Sequence, residues 1–161
     1  MDEEKRMAGS YEILHTIHVG DKEVLFGEDP GSADMRYMVC FCNRNNPLGM
    51  EDFTDAEGSG DFLEIMTEFS DRVRSQLAAV KAERDKVTVP LEPFTLEQCT
   101  PISGNTEIEN KVAVIKPESL RPEYRTQDKQ IVLVTGGFGA RGNARGRAVY
   151  TTNLYSGKNS R

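Results

Sequence analysis

The chain has 161 residues and 37% hydrophobic content, enough for a real core, and no apolar run reaches the length of a membrane span. Three cysteines, two of them one residue apart, make no disulfide framework, and the charged start MDEEKRMAGS lacks the apolar centre of a secretory signal, so a reducing cytoplasm is expected. Net charge is −6, yet residues 1–70 carry 16 acids against 5 bases while residues 129–161 carry six bases and no acid, a polarity that points to a charged partner unless folding intermixes the two ends.

Residues 1–10 read as a flexible N-terminal tail and residues 11–161 as a single α+β domain. Over residues 11–19, Tyr11, Ile13, His15, Ile17 and Val19 alternate with Glu12, Leu14, Thr16 and His18, which predicts a strand. Gly20, Asp21 and Lys22 make a tight turn, and residues 23–26 return as the second strand of a hairpin. Residues 27–33 (GEDPGSA) have loop chemistry, and residues 35–42 (MRYMVCFC) predict a third, largely buried strand. Residues 43–60 are polar and acidic and are expected to form a loop.

The clearest element follows. Phe62, Met66, Phe69, Val73, Leu77 and Val80 recur at steps of three and four, which predicts one apolar helical stripe. Asp61 and Glu64 have the spacing of a capping box, and Glu68 stands one turn before Arg72 in the favourable order. The run Val87-Thr88-Val89-Pro90 ends the helix. Residues 90–109 form a Pro-punctuated connection with a helical turn at 95–99. Strands are predicted at 111–115, 130–134 and 147–154, with at most a brief turn around Pro117 and Pro122. The order β-β-β-α-β-β-β predicts an α+β fold: a mostly antiparallel sheet of about six strands with one long amphipathic helix packed on one face.

Gly137, Gly139 and Gly142 spell G-x-G-x-x-G after an apolar run, the spacing of a dinucleotide-binding turn. That site needs a helix after the glycines and an acidic ribose ligand about 20 residues on. Here residues 148–152 are β-prone and no Asp or Glu follows Asp128, so a hairpin loop is expected and no nucleotide cofactor is assigned. Arg141, Arg145 and Arg147 project from this pliable frame with Phe138 nearby, and Lys158 lies downstream. Arginine forks suit phosphates and carboxylates, and aromatic rings can stack on bases, so the loop reads either as a contact for RNA or an acidic protein surface, or as a mobile, solvated loop kept soluble by its arginines.

Cys40 and Cys42 share a strand face, but His15 and His18 are three apart on a strand and should point to opposite faces. With only Cys99 left to complete a closed site, no metal is assigned, and the thiols read as buried core residues. The acids Asp29, Asp34, Glu51, Asp52, Asp55, Glu57 and Asp61 lack the D-x-D-x-D-G pattern of a calcium loop. They read as a solvated acidic surface or as a phosphate-like row for a basic groove in another protein.

Four blocks carry a resemblance: YEILHTIHVGDKEVLFGED, VTVPLEPFTLEQCTPIS, KVAVIKPESLRPEYRT and QIVLVTGGFGARGNARGRAVYTTNLYSGK. Together they resemble a family of small cargo proteins, and domains of larger ones, from conjugative elements and phages of gut Firmicutes. Members of that group look similar to type II-A anti-CRISPR proteins. Relatives continue past Lys158 with a further charged stretch, whereas this chain ends at Arg161. The resemblance implies a non-enzymatic protein of the bacterial host cytoplasm. Its expected partner is a type II CRISPR effector nuclease with guide RNA, inhibited by occupancy at target DNA recognition or cleavage. The expected contact residues are Arg141, Arg145, Arg147, Lys158, Phe138, Glu51, Asp52, Asp55 and Glu57, with possible direct RNA or DNA contact and no membrane. The alternative is a nucleic-acid-binding accessory protein of a conjugative element or phage.

Overall fold

Backbone pairing places the strands in two antiparallel sheets, one of five strands and one of four. The computed structural model of the chain describes residues 4–46 and 48–161. The chain folds as two compact units, residues 1–85 and 86–161. Both units are α+β in content, and the one long helix belongs to the first.

The first unit holds β1 (Met7–Ala8), β2 (Tyr11–Val19), β3 (Lys22–Glu28), β4 (Tyr37–Asn43) and β5 (Asp52–Ser59), each paired antiparallel with the next in chain order. The β2–β3 turn takes only two residues, Gly20 and Asp21, because Gly20 accepts a φ of 70°. Two expectations are corrected here. Met7 and Ala8 pair with Glu12 and Tyr11, so the ordered sheet begins inside the expected tail. The acidic stretch after Asn43 is a strand, β5, lying at the sheet edge with most of its residues exposed. Charged residues and a bulge at an edge discourage stray pairing, which explains why this strand has no apolar alternation. The bulge lies between Val39↔Glu57 and Phe41↔Thr54, and Asp55 takes a φ of 54° there.

A second bulge revises the alternation expected of β2. Ile13 pairs with Gly27 but His15 pairs with Phe26, so Leu14 is the extra residue and the strand changes face across it. Tyr11 and Ile13 therefore pack with Leu25, Met38, Cys40, Cys42 and Ala8 on one side of the sheet. His15 lies on the other side, its ring 5.7 Å from that of Phe26.

That other side is covered by α1 (Phe62–Arg84), which seats Ile65 and Phe69 on Val24, Phe26 and Val39. Phe62 meets Phe26 and Tyr37 edge-on, at 5.7 and 5.4 Å between ring centres. The expected apolar stripe is rotated by about one position. The buried residues are Ile65, Phe69 and Arg72, with Met66 and Val73 flanking them and Leu77 45% exposed. Half of the capping box forms: the Asp61 carboxylate accepts from the Leu63 and Glu64 amides, while Glu64 accepts from Ser59 Oγ at 2.5 Å instead of bonding back to Asp61.

Arg72 sits in the stripe because every part of its fork is used. Its Nε donates to Glu68 at 2.7 Å, Nη2 pairs with Glu57 at 2.9 Å, and Nη1 donates to the bulged Asp55 carbonyl at 2.5 Å. The guanidinium also lies 5.1 Å from the centre of the Phe41 ring. One buried side chain thus ties the helix to the edge strand.

The second unit holds β6 (Val112–Val114), β7 (Ile131–Gly136), β8 (Tyr150–Asn153) and β9 (Asn159–Ser160), again antiparallel in chain order. Short 3-10 turns at Leu96–Gln98, Pro117–Ser119 and Pro122–Tyr124 occupy the connections where brief turns are expected. Its core is small: Ile108, Val134 and Ala140, with Ala113 and Val149 against them. A buried amide supplies further order. Gln130, at the end of the short helix α2 (Gln127–Gln130), accepts from the Phe94 amide at 2.7 Å and donates to the carbonyls of Phe94 and Ile115. It therefore pins the Pro-rich connection to the sheet.

Candidate functional site

Charge divides along the same boundary as the fold. Residues 1–85 carry 19 acids and 9 bases, a net of −10, and residues 86–161 carry 7 acids and 11 bases, a net of +4. The acidic and basic candidates are thus held by separate folded scaffolds.

On the acidic side the four expected residues play unequal parts. Glu51 is largely committed to its own unit, paired with Arg44 and, at 2.7 Å, with Arg6. Glu57 pairs with Arg72 yet keeps 62% of its side chain exposed. Asp52 and Asp55 are exposed on β5. The structure sets Glu57 and Asp61 beside neighbours that the acidic segment does not include: a groove where β5 meets the start of α1 is lined by these two with Ser59, Glu64 and Glu68. The signal was present in the helix phase, since Asp61, Glu64 and Glu68 recur at steps of three and four in the first two turns.

Behind this surface Arg6 organises a charge network. Its Nη2 meets Glu23 at 2.5 Å, its Nε donates to Glu51 at 2.8 Å, and its Nη1 reaches Thr16 at 3.4 Å. Partial burial alone would push the Glu23 carboxyl up. The hydrogen bond and charge of Arg6, with Arg44 and His18 adding, instead hold it below the usual carboxylate range.

The cysteine reading fits the geometry of the first sheet. Cys40 and Cys42 are buried free thiols on the Leu25 side. Burial pushes the Cys40 thiol up to about 11, with the neighbouring Cys42 adding to the shift, so the thiolate that a metal or an electrophile would need is disfavoured. His15 stacks on Phe26 on the helix side, whereas His18 lies 4.0 Å from Glu23 on the opposite face. Among the described residues no three His, Cys, Asp or Glu side chains gather where they could hold a metal ion.

On the basic side, the glycine motif joins β7 to β8 as a hairpin loop over residues 137–149, and no helix follows it. Its glycines serve close packing of the loop itself. A Cβ on Gly139 would lie 2.6 Å from the Arg147 carbonyl, and one on Gly142 would strike the Ser103 carbonyl. The base of the loop is strapped to residues 104–108 by Gly142 N–H to Thr106 O, Asn143 N–H to Gly104 O and Ile108 N–H to Ala140 O, at 3.0 to 3.2 Å. The tip turns at Arg145 and Gly146, both at positive φ.

Arg141, Arg145 and Arg147 are exposed on this frame, and Phe138 is 90% exposed. Arg141 faces Glu107 at 3.8 Å across a single β-bridge. Lys158 does not join the arginines: it lies in the β8–β9 turn, at the opposite end of β8 from the loop. The sequence reading also passes over Tyr150, which opens β8 and is 48% exposed. Its alternation with Thr152 in the run Tyr150-Thr151-Thr152 was the available signal.

Comparison of the chain with known protein families, curated proteins and solved structures gives no match. Among the described residues no helix is long and apolar enough to cross a membrane.

Proposed function

We propose that this protein is a non-enzymatic inhibitor that binds a type II CRISPR RNA-guided nuclease loaded with its guide and blocks target DNA recognition or cleavage by occupancy. The observation that carries the reading is the segregation of charge into two folded units, −10 on one and +4 on the other. The resemblance of the four sequence blocks points the same way. A guide-loaded nuclease offers counterparts of both signs: a positively charged channel with arginines that read the short motif beside the target, and the phosphates of the guide RNA. The β5 edge with Asp52, Asp55 and Glu57, and the groove continuing to Glu68, matches the first in charge. The loop bearing Arg141, Arg145 and Arg147 matches the second. Inhibition of this kind asks for complementary surfaces and no bond-making step, so no catalytic residue, cofactor or metal is assigned.

The test is a cleavage assay with purified effector, guide and target DNA, titrated with this protein before target is added. The reading expects cleavage to fall as the inhibitor approaches the effector concentration. Complete cleavage at a large molar excess, across effectors from Firmicutes, would remove it.

A further inference from the structure

One side of the four-stranded sheet has the composition of a contact surface. Register puts Val112, Leu133 and Thr152 in one row and Val114 beside Ile131. Tyr150, two residues from Thr152 on the same strand, shares that side. Val132 and Val134 alternate to the other side, where they are buried. In the outward row Val112 is 59% exposed and Tyr150 48%, with Val114 at 36%. An apolar row left open on one side of a sheet is a candidate contact surface.

The two ends of β8 say for what. At its start stands the loop with Arg141, Arg145 and Arg147. At its far end the turn carries Lys158, about 13 Å away by the rise of four strand residues. Arg161 follows β9 at the register position next to Thr151↔Ser160, opposite Tyr150. No acid occurs in residues 129–161; from the preceding segment Glu107 reaches Arg141 at 3.8 Å and Glu109 lies beside Gly136, which leaves Arg145, Arg147 and Lys158 as the cations away from them. Cations thus bracket an apolar and aromatic track.

We propose that this face binds single-stranded nucleic acid, with unpaired bases lying on Tyr150 and the valine row and phosphates held by the arginine loop at one end and Lys158 at the other. Bases stack on aromatic side chains whatever their sequence, and a basic groove follows the backbone. A duplex would engage the cations but offer no open base to Tyr150. An acidic protein surface would satisfy the arginines and leave the apolar row in water. The proposal shares the arginine loop with the nuclease reading, but it concerns bare oligonucleotide and one unit's surface, so either can fail alone.

The experiment is fluorescence anisotropy of a labelled single strand of about 15 nucleotides, as DNA and as RNA, titrated with the full chain at several salt concentrations. Saturable binding that exceeds binding to the matching duplex is expected. Replacing the loop cations together (Arg141→Ala, Arg145→Ala, Arg147→Ala) should weaken binding about tenfold or more at low salt and reduce the salt slope by about two. Tyr150→Ala should weaken it about fivefold or more with little change in slope, and Tyr150→Phe should restore it. Circular dichroism checks the fold of each variant, and should Tyr150→Ala unfold, Val112→Glu at an exposed position takes its place with the same expected loss. A flat titration at low salt overturns the proposal. So does binding that a duplex matches and the row variants leave unchanged. Tighter binding of a labelled polyglutamate than of the oligonucleotide would assign the surface to an acidic protein instead.

Discussion

The two units reach order by different means. The first lays a 23-residue helix on a five-stranded sheet and buries aromatic and aliphatic side chains between them. The second has four short strands, a core of a few small side chains, and a buried glutamine where another protein would place a large apolar residue. Their surfaces differ as well. Acids of the first are partly neutralised from within by Arg6, Arg44 and Arg72, whereas the loop arginines of the second point outward from a frame of packed glycines. A unit with a deep core can spend its edge strand on charge. A unit with a shallow core needs its backbone strapped if a long loop is to hold a fixed surface.

Substitutions can break or sharpen this contrast. The largest effect is expected at Phe69, which joins the helix to the sheet through Phe26 and is 6% exposed. Phe69→Ala should cost about 3–5 kcal/mol in chemical denaturation followed by helix ellipticity, and a loss under 1 kcal/mol would show that the helix is not the keystone of its unit. Gln130→Ala comes next. It strands the Phe94 amide and two carbonyls, and it should cost about 2–3 kcal/mol, read as lost hydrogen-exchange protection at Phe94 and along β7. If Gln130→Leu restores that protection, the amide is filling space and the contrast fails.

Arg72→Met should cost about 2 kcal/mol, because its carboxylate partners are half-exposed and regain water once freed. The loss should appear first as exchange at the β5 amides. The smallest effect, about 1 kcal/mol, belongs to Arg6→Ala, and it should depend on pH. Glu23 is held low in the folded state, so its contribution is present above its ordinary value near 4.5 and is lost as pH falls through the depressed folded value. The gap in stability between wild type and Arg6→Ala should therefore be full at pH 7 and shrink below about pH 4.5. A gap that stays constant to pH 2 would mean that Arg6 acts through packing alone.

Much of this contrast was legible in the amino-acid order, and the illegible parts share a physical cause. Helix α1 announces itself because a 3.6-residue period over six turns is hard to produce otherwise, and the hairpin turn at Gly20 and Asp21 is a local matter of φ. The glycine loop was readable as a hairpin because β-prone residues follow it. Strand β5 was not readable, since its pairing comes from β4 and from Arg72, both distant in sequence, while its own residues look like loop. Leu14 looks regular until its neighbour pairs, and the bulge there moves Ile13 away from His15. Arg72 disguised the helix phase because a buried arginine is expected only where partners exist, and those lie on another element. Lys158 was grouped with the arginines by composition, which is blind to the end of a strand on which a residue falls.

Calorimetric titration of this protein into a purified, guide-loaded type II effector tests the central claim most directly. The account predicts saturable heat with an affinity that drops steeply as salt rises, together with a loss of binding when either the β5 acids or the loop arginines are neutralised. A titration that stays flat at low salt, or an affinity indifferent to both sets of charges, would contradict it.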